Sequence, residues 1–142
     1  MQKTAIVIGG GAAGLMAALF AARGGARAAL VERTEKLGKK IYITGKGRCN
    51  LTNAVSREEF LERVLHNPRF LYASLAALDP AGLMRLMEEL GVPLKTERGG
   101  RVFPASDKAS DVTSALAKEL QRLGVSVRLN ARAAEILAEN GR

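Results

Sequence analysis

Residues 5–32 read AIVIGGGAAGLMAALFAARGGARAALVE: a short apolar run, a glycine-rich turn, an alanine-rich stretch, a second apolar run and a terminal acid. Ala5–Ile8 suits a buried parallel strand. Leu15–Arg23 is dense in strong helix formers and stops at Gly24-Gly25. Ala28–Val31 is a second strand closing on Glu32. Between the first strand and the helix, Gly9, Gly11 and Gly14 match G-x-G-x-x-G. The first glycine permits the tight turn, the second lets backbone approach a pyrophosphate, and the third lets helix and strand pack closely. Ala12 and Ala13 stand where the helix opens, and its free N–H groups and positive dipole end are expected to face the phosphates. Glu32 lies 18 residues beyond Gly14, close to the spacing of an acid that accepts hydrogen bonds from a ribose hydroxyl. Such a unit is expected to bind a dinucleotide.

A chain of 142 residues with 47% apolar and 25% charged residues has the size and composition of one globular domain. Met1-Gln-Lys-Thr4 runs straight into the first strand, so no signal or transit peptide is expected. No apolar stretch reaches the ~20 residues that span a bilayer. The lone cysteine, Cys49, has no internal disulfide partner, and no cysteine–histidine cluster offers a metal site. The expected compartment is the cytoplasm, with no membrane partner. A net charge of +8 raises nucleic acid as a partner. However, Arg33, Lys36, Lys39, Lys40, Lys46 and Arg48 crowd into the stretch directly after the fingerprint, where they can neutralise a pyrophosphate. With no Trp and few aromatics to stack bases, nucleic acid is not the expected partner.

Beyond Glu32, residues 33–55 are loop-rich, with glycines at 38, 45 and 47, and read as a ligand-covering segment. Ser56-Arg-Glu-Glu59 is a capping box, and Phe60, Leu61, Val64 and Leu65 give the apolar face of the helix it starts. His66, before Asn67-Pro68, is expected to cap that helix at its C-terminus. A second helix is expected over Arg69–Leu78. A third opens at Asp79-Pro80 and closes at Gly91. Pro93–Pro104 reads as a hairpin around Arg98-Gly99-Gly100. Ser110 or Asp111 caps a helix ending at Gly124, Val125–Leu129 is a third parallel strand, and Ala133–Leu137 begins another element. The expected fold class is α/β, a Rossmann-like parallel sheet with a helical insertion after the second strand. Residues 1–55 and 100–142 form the nucleotide-binding core and 56–99 the insertion. Roughly 90 residues separate the second and third strands, more than a plain nicotinamide domain needs, which points to a flavoprotein.

Three blocks carry a resemblance to the bacterial BaiN/YhiN-type flavoproteins, a family of FAD/NAD(P)-binding oxidoreductases with aminoacetone oxidase-like members. They are the fingerprint with Glu32, the stretch LGKKIYITGKGRCNLTN at 37–53, and GRVFPASDKASD at 100–111. Lys46 departs from the family pattern, which has glycine there. Family members are about three times longer, so the chain resembles their N-terminal third, truncated before the substrate domain. The resemblance implies FAD as cofactor, with NAD(P)H as electron donor and a small-molecule substrate in the full-length oxidoreductase. The fragment alone is expected to be inactive. The alternative is a non-catalytic Rossmann-like module binding NAD(P) or ADP-ribose.

On this basis Gly9, Gly11, Ala12, Ala13 and Gly14 are expected at the pyrophosphate and Glu32 at the adenosine ribose. Arg33, Lys40 and Arg48 offset phosphate charge. Thr44, Gly45, Gly47 and Asn50 lie along the cofactor, and Ala133 reads the adenine edge. Asn50 and Asn53 are also suited to holding their loop by side-chain-to-backbone bonds. Cys49 reads as a packed structural thiol, despite the neighbouring Arg48. No catalytic acid or base stands out, and Arg101, Ser106 and Lys108 have no assigned task.

Overall fold

The computed structural model of the protein describes residues 2–137. Two compact units compose it, Met1–Ile41 with Leu116–Arg142, and Tyr42–Ala115. Residues 42–55 and 100–115, expected with the nucleotide-binding core, therefore pack with the segment expected as an insertion.

In the first unit, β1 (Thr4–Ile8) and β2 (Arg27–Val31) pair in parallel from Thr4 opposite Arg27 to Ile8 opposite Val31. Parallel neighbours require a crossover, supplied by α1 (Ala12–Arg23). That helix opens at Ala12, where two strong helix formers, Ala12 and Ala13, lead into the Leu15–Arg23 stretch. Its Leu15, Ala18 and Leu19 are buried with Leu30 of β2, the i, i+3, i+4 stripe of a core-facing helix. It ends in a Schellman motif: Ala26 N–H donates to Ala21 C=O and Gly25 N–H to Ala22 C=O, with Gly25 at φ +82°. The third parallel strand, β6 (Ser126–Arg128), adds beside β2 and gives the order β1-β2-β6. The expected return to the same sheet is observed, over a shorter strand than Val125–Leu129.

Helix α5 (Ala109–Arg122) contributes its second half to this unit. Its Glu119 is buried and accepts from Arg122 (2.7 and 2.9 Å) and Arg23 (3.1 Å). These guanidinium bonds, Arg122 first, pull the carboxyl down to about 2. One sheet face is bare among the described residues: Ile6 is 69% and Ile8 56% exposed. They alternate with Val7, which points towards α1.

In the second unit β3 (Thr52–Asn53), β5 (Arg101–Pro104) and β4 (Leu94–Glu97) form an antiparallel sheet in the order β3-β5-β4. The expected hairpin is present, and its turn needs Gly99 and Gly100 at φ +79° and +74°. Ser56 and Glu59 close the expected capping box on α2 (Arg57–Glu62). That helix stops earlier than its apolar pattern suggests, leaving Leu65 90% exposed. His66 therefore lies beyond the helix, and the C-cap is Arg63. The helix expected over Arg69–Leu78 is a 3-10 turn at Pro68–Leu71 followed by α3 (Tyr72–Ala77). Asn67, left-handed at φ +47°, and Pro68 set that tight start. Asp79 caps α4 (Pro80–Glu89) by accepting from Gly82 N–H at 2.6 Å.

Ser110 and Asp111, expected as caps, lie inside the first turn of α5. Just before the helix, the Ser106 hydroxyl accepts from Lys108 N–H and donates to the Asp111 carboxylate at 2.6 Å. Asp107, left-handed at φ +58°, makes the intervening bend. Ala133–Leu137 adopts no regular element within the described residues.

Candidate functional site

The glycine turn sits in the first unit between β1 and α1. Gly9 is at φ +99°, a conformation that L side chains resist, and its N–H donates to Val31 C=O at 2.8 Å. A Cβ on Gly14 would lie 1.8 Å from the Gly9 carbonyl oxygen, so helix and turn touch backbone to backbone. Gly11 is the extended N-cap of α1, with no side-chain cap and no acid in the first turn. The first-turn amides, those of Ala12, Ala13 and Gly14, therefore have no partner within the helix. A Cβ added at Gly9 or Gly11 would meet nothing within 4 Å. The turn is a cradle for an anion, open where side chains would otherwise stand, and it fits a pyrophosphate.

Glu32 is bound to this turn. Its Oε2 accepts from Gly10 N–H at 2.6 Å, and Oε1 accepts from the N–H and hydroxyl of Thr34, both at 2.8 Å. The Gly10 bond, followed by those from Thr34, holds the carboxyl below the usual glutamate range. Each carboxylate oxygen has two lone pairs, so capacity remains for a ribose hydroxyl. Gly10 and Thr34 escaped the sequence reading. The middle glycine of the GGG run was the available signal for Gly10, where a Cβ would come within 2.5 Å of Leu37 Cδ2. Arg33 and Lys40 are exposed on the segment that follows, and Ala133 is exposed outside any regular element.

The loop expected along the cofactor belongs to the second unit. Gly45, Lys46 and Gly47 are all left-handed (φ +55°, +58° and +88°), as is Cys49 (φ +63°). A Cβ on Gly45 would lie 2.8 Å from both Asn50 N and Phe103 Cε1, so the loop lies tight on Phe103. Thr44 C=O accepts from Cys49 N–H at 3.1 Å. Arg48 is stacked 4.1 Å over the Phe103 ring and donates to Glu97 (2.8 Å) and Asp107 (3.3 Å), which raises its pKa, Glu97 foremost. Lys95 also donates to Asp107. The task of the 100–111 block becomes visible here: Phe103 and Asp107 hold Arg48, and Ser106 links Lys108 N–H to the Asp111 carboxylate. The signal for it was the motif itself, which spacing alone did not explain.

Asn50 places its NH₂ towards the carbonyls of Val102 (3.3 Å) and Thr52 (3.2 Å), and Asn53 donates to Gly99 C=O. Cys49 is 4% exposed, and burial pushes its thiol above the usual range. No group of three metal-ligating side chains occurs among the described residues. No helix among them is long and apolar enough to cross a membrane.

A family model described as the HI0933-like protein Rossmann domain matches residues 3–142. The chain belongs to the HI0933-like family. The resemblance to BaiN/YhiN-type flavoproteins is thereby borne out, as is the Rossmann-like α/β class. The domain is 38% identical over 123 residues to a 3-dehydro-bile acid delta(4,6)-reductase of Clostridium scindens, covering 85% of this chain and 29% of that protein. It is 32% identical to the ribosomal RNA dihydrouridine synthase of Escherichia coli, covering 88% and 30%. The Haemophilus influenzae protein of that name is 29% identical, with 92% and 32% covered. The HI0933-like domain thus spans about three-tenths of these curated relatives. Among solved structures, Thermovibrio ammonificans THI4 superposes with a TM-score of 0.58 at 19% identity, covering 90% of this chain and 38% of that one. That likeness extends to the fold.

Proposed function

We propose that this HI0933-like domain is the FAD-binding part of a cytoplasmic flavin-dependent oxidoreductase acting on a small organic substrate, with NAD(P)H as electron donor to the whole protein. The observation that carries this is the uncapped α1 N-terminus behind an open glycine turn, with an ionised Glu32 fixed beside it. The Ala12, Ala13 and Gly14 amides receive the pyrophosphate, and Glu32 accepts from the adenosine ribose. Arg33 and Lys40 offset phosphate charge, and Ala133 reads the adenine edge. In the second unit Thr44, Gly45, Gly47 and Asn50 line the ribityl side, where Arg48 adds positive charge. Bound flavin supplies two-electron redox chemistry. The residues of this domain bind it, orient it and balance its charge. A relative named as a reductase supports the redox class. Turnover is a property of the longer protein, and the domain alone binds without reacting.

Calorimetry with FAD, NAD and NADP tests the proposal. FAD is expected to bind most tightly and NADP most weakly, because Glu32 repels a 2′-phosphate. NAD binding with no response to FAD would instead establish a non-catalytic module holding NAD(P) or ADP-ribose. A second reading, RNA as substrate, is favoured by the +8 charge and by two relatives named for ribosomal RNA. It predicts RNA affinity that falls steeply with salt, whereas the small-substrate proposal predicts a flat response.

A further inference from the structure

We propose that the cavity between the Gly45–Asn50 loop and β5 is an oxyanion site, taking the carboxylate or phosphate of a small-molecule ligand. The cavity, about 280 Å³, is lined by Gly45, Lys46, Arg48, Asn50, Arg101 and Phe103. Three of these six residues are cationic and none carries a carboxylate. The space is below the ~300–1,000 Å³ of pockets that enclose whole drug-sized ligands, and suits the charged end of a molecule. Phe103, 1% exposed, is its floor.

The cations are unequally engaged. Arg48 turns one nitrogen to Glu97 and Asp107 while its plane lies on the ring. Arg101 donates its Nε–H to Arg98 C=O and approaches Glu97 only to 3.9 Å. Lys46 has no ion-pair partner among the described residues. Counting the carboxylates behind the cavity, Lys46, Arg48, Lys95 and Arg101 stand against Glu97 and Asp107, a surplus of two positive charges. Guanidinium forks are the strongest side-chain partners for carboxylate and phosphate. Lys46 also keeps a side chain at φ +58°, where glycine would be unstrained. Strain of this kind collects at functional positions. Gly45, Arg48 and Asn50 are shared with the proposed ribityl side, so this site rests on that reading and deepens it, with Lys46 and Arg101 as its addition; every residue concerned belongs to the second unit.

The test is an NMR titration of the ¹⁵N-labelled chain with inorganic phosphate and, separately, acetate, at constant ionic strength. Saturable shifts are expected at the Gly45–Arg48 amides and the Arg101 Nε–H. The dissociation constant should rise at least about fivefold in Arg101→Gln and in Lys46→Gln, and stay unchanged in the exposed control Arg85→Gln. Tighter phosphate assigns a phosphorylated ligand and tighter acetate a carboxylate. Because Arg101 is exposed on a hairpin, its variant remains informative if Lys46→Gln fails to fold. The proposal is overturned by shifts that do not saturate, shifts equal in all variants, shifts confined to Gly11–Gly14, or shifts abolished by excess FAD. A separate FAD titration of the same sample reports on the cofactor proposal independently.

Discussion

The Gly14 α-carbon faces the Gly9 carbonyl oxygen so closely that a single added methyl would stand 1.8 Å from it. Gly14→Ala therefore forces α1 away from the turn, because backbone atoms cannot rotate aside as a side chain can. We expect a loss of about 2–4 kcal/mol of stability, read as a lower denaturant midpoint, together with loss of FAD binding. Gly11→Ala makes the contrast. Its methyl enters open space, so stability should hold while cofactor affinity falls. Equal stability loss in both variants would contradict the cradle.

Glu32 ties the turn to the end of β2 only while it is ionised. Its folded-state pKa lies below the ordinary 4.5, so the stabilisation is present above that value and fades as the pH falls through the lowered one. Glu32→Gln should destabilise the domain at neutral pH, and the difference from wild type should shrink on acidification below about 4.5. Thermal unfolding between pH 3 and 7 measures it. A constant difference would show that the ionised carboxylate is not the clasp.

A larger acid dependence is expected at Glu119, where paired guanidinium groups pull the carboxyl to about 2. The contribution should be complete above the ordinary 4.5 and lost progressively towards about 2. At pH 7, Glu119→Gln should cost about 2 kcal/mol, less than the full shift implies, because Arg122 is mostly in water. Chemical denaturation of the two proteins at pH 7 and pH 3 gives the comparison.

Lys46 occupies left-handed backbone between two glycines. Lys46→Gly should raise stability by up to ~1 kcal/mol through relief of that strain, while weakening phosphate binding at the adjacent cavity. A melting temperature and a phosphate titration on the same variant separate the two effects.

Cys49 is sealed, and its thiol is pushed up by burial. Its reaction with a disulfide reagent at pH 7.5 should be slow in the native chain and should accelerate in denaturant in step with unfolding. Fast native labelling would refute a structural role.

Much of the architecture was legible because it depends on local rules. Left-handed glycines, the Ser56–Glu59 box and the Asp79-Pro80 start each act within a few residues. Errors arose where tertiary packing overrode local pattern. Val64 and Leu65 carry the right period for α2, but the helix ends at Glu62 and Leu65 points to solvent. Ser110 and Asp111 have capping chemistry, yet α5 starts at Ala109, so both lie inside its first turn.

The sequence by itself determined the parallel β–α–β unit, the glycine turn and the position of Glu32, because spacing along one short segment sets all three. Only the tertiary structure decided that Glu32 clasps Gly10, that Phe103 and Asp107 hold Arg48, and that Ile6 and Ile8 of the parallel sheet are exposed among the described residues. The last two involve residues from distant segments or neighbours that cover a surface, and Glu32 and Gly10 stand 22 positions apart. Neither a period nor a motif encodes such distances.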